Sequence, residues 1–287
     1  AARADWSYNG KLWRQFLSFE DVGTGFRADN GFFGQSGYRT AYSETQRRFL
    51  DAGPFNEVSP YLNAEYKTDR EGGVIYQQNN VGVLLGLPRA TNVYLEVRPN
   101  NLVAVREGGG LRKRDQFYVQ VESNPSGWFS KLLSEIAWGD RVDVANNRVG
   151  RGVYAMLTAN LRPHARAELE YRIDNDTIDS LEAVEGSKRI LAQRAQQLVA
   201  IWHFTARDNL RVIWQANWVR RAPSLWEEPV SSRESSDTLS LVYGHRQGIG
   251  FTVYVGATMG RSLDADTGVK RRQGEVFVKG AWTFDVL

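Results

Sequence analysis

The amino-acid sequence predicts an all-β fold, namely a transmembrane antiparallel up-and-down β-barrel of about fourteen strands. Three observations predict it: apolar and polar residues alternate with a period of two, short and long connections alternate, and aromatic residues make up 12% of the chain. Barrels of this kind have short periplasmic turns, long extracellular loops and aromatic girdles at both membrane interfaces. The expected location is the outer membrane of a bacterium with a Gram-negative envelope, with residues 1–287 as a single barrel domain.

The alternation is clearest in the second half of the chain. In Ala165–Ile173 the odd positions are apolar, whereas the even positions read Arg, Glu, Glu, Arg. A similar alternation recurs in Leu210–Trp218, Phe251–Met259 and Glu275–Val286, and shorter examples lie at 93–97, 117–121 and 153–159. Successive side chains of a strand point to opposite faces, so each segment is expected to be a strand with one apolar face. Leu181–Gln197 is the nearest candidate for a helix, and its second half is expected to be a strand.

Turn-forming residues separate these strands, and the connections alternate in length. Short connections are expected at Gly86–Ala90, Asn124–Gly127, Arg162–His164, Ala206–Asn209 and Arg246–Gly248. Long ones are expected at Val22–Gly37, Arg106–Arg114, Gly139–Gly150, Asp174–Lys188, Arg220–Ser236 and Arg261–Lys270. With both termini on the turn side, the number of strands is expected to be even. A soluble β-sandwich is the main alternative, because it also shows alternation.

Composition excludes several classes of protein. No run of about eighteen apolar residues could cross a bilayer as a helix, and the mean hydropathy is −0.45. The net charge of +3 comes from interspersed residues, so no nucleic-acid partner is expected. The chain has no cysteine, which excludes thiolate chemistry, and no cofactor or metal is expected.

Charged residues on the polar faces of the strands point to a lumen. An arginine facing lipid near the bilayer midplane would cost about 2 to 4 kcal/mol, so these side chains are expected to face inward. The expected lumen-lining residues are Arg166, Glu168, Glu170, Arg172, Arg211, Gln215, Glu275 and Lys279. They either select solutes or merely form ion pairs with one another, and both interpretations are open.

Two aromatic segments have expected roles. The loop Val22–Gly37 contains Phe26, Phe32 and Phe33, which are expected to constrict the lumen, bind a partner or pack on the barrel rim. The C-terminal strand places Trp282, Phe284 and Val286 at alternate positions. This pattern resembles the terminal signal that the barrel-insertion machinery reads, or it is an ordinary amphipathic strand. The lipid bilayer and that machinery are therefore the expected partners.

No catalytic site is expected. The three histidines fall at or beside predicted short turns, without a nucleophile at an outer rim, so the chain is expected not to be an enzyme. Asp174, Asp176, Asp179, Asp264 and Asp266 lack the spacing of a calcium-binding EF-hand loop and are interpreted as solvated loop charges. The glycine run at 108–110 lacks the residues that follow in a phosphate-binding loop.

Two segments resemble a known group of proteins. Gly25–Thr40, GFRADNGFFGQSGYRT, and Gln193–Trp218, QRAQQLVAIWHFTARDNLRVIWQANW, are similar to the C-terminal outer-membrane β-barrel of largely uncharacterised bacterial proteins with a carbohydrate-binding-module-like N-terminal domain. The resemblance implies an outer-membrane barrel rather than a reaction. Carbohydrate recognition is not carried over, because both segments belong to the barrel part.

The expected function is an outer-membrane, porin-like channel that passes small solutes through a charged lumen. The alternative is a plugged structural or assembly barrel that docks a partner, such as a periplasmic protein, in the envelope. Conductance separates the two.

Overall fold

The computed structural model of the chain describes residues 1–26, 36–104, 110–182, 188–247 and 250–282. Sixteen β-strands account for most of them. The strands are β1 Ala2–Asn9, β2 Trp13–Val22, β3 Tyr38–Arg47, β4 Phe49–Ala52, β5 Phe55–Asp69, β6 Val74–Leu87, β7 Thr91–Ala104, β8 Leu111–Ser123, β9 Phe129–Asp143, β10 Arg148–His164, β11 Ala167–Asp179, β12 Arg189–His203, β13 Asp208–Arg221, β14 Arg233–Gln247, β15 Phe251–Asp264 and β16 Lys270–Trp282. In these residues the only helix is one 3-10 turn, Pro223–Leu225, and none is long and apolar enough to cross a membrane.

Hydrogen bonds join the strands in the order in which they follow one another along the chain. β4 is the exception, because it lies off this path and pairs with Phe55–Val58 of β5, whereas β3 pairs with Tyr61–Asp69 of the same strand. β3 and β4 thus act as one interrupted strand that pairs with successive parts of β5. The structure confirms the prediction of an all-β, antiparallel, up-and-down sheet.

The number of strands differs from the expected value of about fourteen, since the described residues form sixteen. Six strands lie in the first 87 residues, where polar residues on both faces obscure the alternation. The path is linear, with β1 at one end and β16 at the other, and the described residues show no hydrogen-bonded closure. Closure into a barrel therefore stays a prediction.

The chain divides into two compact units. The first comprises Ala1–Val121, Ile136–Val153 and Ser180–Glu182, and the second comprises Glu122–Glu135, Tyr154–Asp179 and Ala183–Leu287. β1 to β7 belong wholly to the first unit, and β12 to β16 wholly to the second.

Connections alternate between short and long within each unit. In the second unit the turn at 204–207 is short, whereas the connection at 222–232 is long. In the first unit the turn at 10–12 is short and the connection at 23–37 is long. The strands nevertheless extend further toward the long connections than the sequence pattern indicated.

Strand residues occupy part of two predicted loops. β9 continues to Asp143 and β10 begins at Arg148, so the loop expected at Gly139–Gly150 is only four residues long. Asp174, Asp176 and Asp179 lie in β11 rather than in a loop. The second half of Leu181–Gln197 is a strand as predicted, because β12 begins at Arg189.

Apolar side chains are largely exposed rather than gathered into a core. Val22 and Ile190 are completely buried, but Met259, Val276 and Val278 are 64%, 79% and 73% exposed. A soluble β-sandwich would bury one face of each sheet against the other. The exposed apolar surface therefore favours a sheet that lipid covers.

Two glycines receive aromatic side chains of the neighbouring strand. A Cβ atom at Gly82 would lie 2.6 Å from ring atom Cζ of Tyr61, and one at Gly256 would lie 2.6 Å from Cζ of Phe277. Each glycine is directly opposite its aromatic residue in the register of the strands. Only glycine lets these rings pack against the neighbouring backbone.

Candidate functional site

The register of the second unit shows which side chains share a face. Three successive rows of opposed residues are apolar, and together they form the apolar band. The rows are Trp202, Leu210, Tyr243, Val255 and Val278; Ala200, Val212, Leu241, Ala257 and Val276; and Leu198, Trp214, Leu239, Met259 and Gly274. Leu239, Leu241 and Tyr243 of β14 are 41%, 47% and 40% exposed. A continuous apolar surface of this kind suits contact with lipid.

The other face of the same strands is polar. The predicted lumen residues on it are Glu168, Glu170, Arg172, Arg211, Gln215, Glu275 and Lys279, since each alternates with members of the apolar face. Arg166 lies in the two-residue turn between β10 and β11. These residues share one side of the sheet, and their role in lining a lumen stays a prediction.

Ion pairs neutralise part of this polar face. Arg172 Nε lies 2.8 Å from Asp174 Oδ2, and the hydroxyl of Tyr154 donates to Asp174 Oδ1 over 3.1 Å. Glu168 Oε1 lies 3.6 Å from Nη2 of the Arg162 guanidinium and 3.6 Å from Nε2 of His203. The charges in this unit therefore partly satisfy one another, as the sequence allowed.

A second polar network lies in the first unit, on the strands from β5 to β8. The Tyr61 hydroxyl donates to Glu96 Oε1 over 2.6 Å, and Glu96 Oε2 accepts from Arg98 Nε over 2.8 Å. The Arg98 guanidinium carbon is 3.8 Å from the centre of the Tyr118 ring. Glu96 lies opposite Gly82, so this network shares the face onto which Tyr61 packs.

Arg114 of β8 is a cation on that face that has no anionic partner among the residues that the structure describes. It is four residues from Tyr118 and therefore points to the same side. Its Nε is buried without a hydrogen-bond partner among the described residues, and its electrostatic neighbours are Tyr76, Arg98 and Arg141. The three arginines form the arginine cluster, which the sequence analysis missed because polar residues occupy both faces of β8 at this end.

The two aromatic segments are only partly within the described residues. Phe26 is half-buried, and its amide donates to Gly23 O over 3.2 Å, whereas Phe32 and Phe33 lie outside the described residues. Trp282 is 67% exposed, and its ring centre is 4.7 Å from that of Phe251. Phe284 and Val286 also lie outside the described residues. The roles of both segments stay predictions.

A hydrogen-bonded cluster around the single carboxylate of Asp208, at the short-turn end of the second unit, was not predicted. Asp208 accepts hydrogen bonds from the Tyr243 hydroxyl over 2.6 Å and from the Thr205 hydroxyl over 2.6 Å. His245 Nδ1 lies 2.7 Å from the same carboxylate. The cluster joins the turn at 204–207 to β14, and we interpret it as a structural contact that stabilises this end of the strands. The expectation that the chain is not an enzyme stays a prediction.

We expect Asp208→Ala to lower the urea midpoint of unfolding more than Tyr243→Phe does. The first substitution removes the acceptor that three side chains share, whereas the second removes one donor. Urea titration of both variants in detergent micelles measures the difference. If the two midpoints fall equally, the hydrogen bond from the Tyr243 hydroxyl accounts for the whole loss, and the other two contacts of Asp208 do not contribute to stability.

The acidic groups near the long connections contact protein donors. The side chain and backbone N–H of Ser232 donate to Asp266 and lower the pKa of that carboxyl. The Ser231 hydroxyl donates to Asp264 over 2.6 Å. No group of three or more metal-binding side chains occurs in the part of the chain that the structure describes.

An antiparallel up-and-down sheet with an exposed apolar face and a charged opposite face resembles the sheets of outer-membrane barrels. No family model and no curated protein matches the chain. Among solved structures it is similar to the outer membrane channel DcaP of Acinetobacter baumannii, with 8% identity over 98% of this chain and 97% of that chain and a TM-score of 0.49. It is also similar to in-vitro folded OmpT, an outer membrane protein of Vibrio cholerae, with 12% identity over 96% and 98% and a TM-score of 0.35.

Proposed function

We propose that this chain is a channel of a bacterial outer membrane, whose sheet closes into a barrel with its polar face around the lumen. The observation that carries the proposal is the division of the sheet into two faces. In the second unit the apolar band faces away from Glu168, Glu170, Arg211 and Glu275. In the first unit Leu62, Val81 and Val97 form an exposed apolar row.

Closure follows from the cost of free strand edges in lipid. β1 is exposed along its whole length, and β16 is exposed at nearly every position. Each unpaired backbone group in hydrocarbon costs several kcal/mol, so an open edge is not tolerated there. A closed sheet would pair these groups and would be wider than the roughly eight strands whose interior side chains can fill.

The charges of the polar face would set the solute preference. Ion pairs neutralise Arg172 and Glu168, whereas Arg114 has no anionic partner within the described residues. A partly buried guanidinium of this kind attracts carboxylate or phosphate groups of passing solutes. We therefore propose a preference for small anions.

Single-channel recording in a planar bilayer tests the channel. The refolded full-length chain should give stable conductance steps, and reversal potentials in a salt gradient should show anion preference. The same chain added without refolding serves as the control and should give no steps. If a correctly inserted chain stays closed, the channel proposal fails and a plugged barrel that docks a partner takes its place.

Three further parts of the proposal rest on the sequence. The segment with Trp282, Phe284 and Val286 would present the signal for the barrel-insertion machinery. The loop with Phe26, Phe32 and Phe33 would constrict the lumen or contact a plug or periplasmic partner. The resemblance to barrels that follow a carbohydrate-binding-module-like domain is likewise a proposal.

A further inference from the structure

A belt of outward-facing cations lies beside the apolar band of the second unit, toward the end of the strands that carries the longer connections. It consists of Arg194, Arg220, Arg233, Arg261, Lys270 and Arg272, and it is named the basic belt. All six side chains are exposed. Each is an even number of residues from a member of the apolar band on its own strand, so the belt and the band share a face.

Four members of the basic belt form opposed pairs of like charge. Arg220 lies directly opposite Arg233, and Arg261 lies directly opposite Arg272. Like charges at opposed positions on one face destabilise a sheet. Arg261 Nε donates a hydrogen bond to the carboxylate of Asp237, which lies directly opposite it. The described residues provide no carboxylate for Arg220, Arg233 or Arg272. Anions from outside the chain would relieve the repulsion between Arg220 and Arg233 and would neutralise Arg272.

The position of the basic belt indicates where that anion would lie. Trp218 is two residues from Arg220 on the same face, and the guanidinium carbon of Arg220 is 5.4 Å from its ring centre. Tryptophan is enriched at membrane–water interfaces, level with the headgroups. The connections at this end, 180–188 and 222–232, are the long ones, which are extracellular in outer-membrane barrels.

We propose that the basic belt binds the phosphate groups of a phosphorylated glycolipid, lipopolysaccharide, in the outer leaflet. The inference rests on the proposed function, because the belt meets this leaflet only if the sheet is inserted with its long connections outside. A guanidinium group binds phosphate through two parallel hydrogen bonds. Two opposed arginines can therefore hold a phosphate more firmly than a single cation can. One phosphate between Arg220 and Arg233, and another near Arg272, would convert repulsion into attraction.

The test uses the refolded full-length chain in detergent micelles with bisphosphorylated lipid A, and native mass spectrometry measures the retained lipid. The variant Arg233→Gln/Arg272→Gln removes one cation from each opposed pair. The matched control is Arg271→Gln, since Arg271 is the neighbour of Arg272 but lies on the polar face, opposite Ser262. Apparent affinity should fall about tenfold or more in the double variant and stay within about twofold in the control.

Several outcomes overturn the inference. Equal retention by the double variant and the control would exclude the basic belt as the site. Equal retention of dephosphorylated lipid A would exclude phosphate recognition. Equal retention of phosphatidylglycerol would exclude preference for a glycolipid over other anionic lipids. Heat-modifiable migration on gels verifies that each variant is folded, and Arg233→Lys/Arg272→Lys, which keeps the charge, should retain part of the binding.

The inference and the proposed function fail separately. Conductance is recorded from the same wild-type preparation. A chain that conducts, but whose lipid A binding does not depend on the basic belt, contradicts the inference alone. A chain that binds lipid A through the basic belt but never conducts contradicts the channel alone.

Discussion

Replacement of Leu241 by arginine is expected to lower the free energy of unfolding in a lipid bilayer by about 2 to 4 kcal/mol. Leu241 lies in the middle row of the apolar band, between Val212 and Ala257, and its side chain is 47% exposed. A guanidinium at this position would have to leave water for hydrocarbon. Urea titration of the chain in lipid vesicles, followed by tryptophan fluorescence, measures the loss.

Ser240→Arg is the matched control, because Ser240 is the preceding residue of β14 and lies on the polar face. Its hydroxyl is 2.9 Å from that of Thr258, so the substitution loses one neutral hydrogen bond worth about 1 kcal/mol. We expect the loss at position 241 to be clearly larger. Equal losses at both positions would mean that the apolar band does not face lipid.

Reversal of the charge at Arg114 is expected to reduce the anion-to-cation permeability ratio by about tenfold or more. Arg114→Glu changes the local charge by two units beside Arg98 and Arg141, and at separations of a few ångströms each unit contributes about 1 kcal/mol in a watery lumen. Reversal potentials of single channels in a salt gradient measure the ratio. The effect should weaken at high salt, because ions screen the field of the arginine cluster.

Lys113→Glu is the control for that experiment, since it makes the same change in charge at the adjacent residue on the opposite face. Lys113 pairs with Asp115 over 2.8 Å, and both side chains are largely exposed, so loss of the pair costs little stability. We expect the permeability ratio of this variant to stay near that of the wild type. A similar shift in both variants would show that selectivity arises from general charge and not from the arginine cluster.

The faces of four strands of the second unit could be predicted from the sequence because apolar and polar residues alternate strictly along them. In β11, β13, β15 and β16 the residues predicted to be apolar-facing share one side with the apolar band. A shift of one residue would move every side chain to the other face, so the pattern excludes such a shift.

The ends of the strands could not be predicted, because the alternation stops where the apolar band stops. β11 continues through Asp174, Asp176 and Asp179, where both faces are polar and the sequence resembles a loop. The sequence does not indicate the break between β3 and β4 either. An ion pair of 2.7 Å between Arg48 and Glu57 lies at this bend, and it depends on pairing between strands. Pairing with the neighbouring strand, which depends on distant residues, maintains the strand in these regions.

The arginine cluster was missed for a related reason. Arg98, Arg114 and Arg141 are far apart in the sequence and come together only through the order of β7, β8 and β9. In β8 Lys113 and Asp115 flank Arg114 from the opposite face of the sheet, so charged residues follow one another and no alternation marks a face. Sequence periodicity therefore finds polar residues that alternate with apolar ones and misses those that alternate with other polar ones.

The neighbour-to-neighbour order of the sheet also bears on how the chain assembles. Apart from β4, each strand pairs with the strands that precede and follow it along the chain. The number of residues between two pairing partners therefore depends only on the lengths of the strands and of their connections. The entropy lost in closing a loop grows with the logarithm of its length, and folding is faster when contacts are local. Assembly can thus advance one hairpin at a time, with each new hairpin templated by the last, and the slow step is expected to be the transfer of the apolar band into lipid.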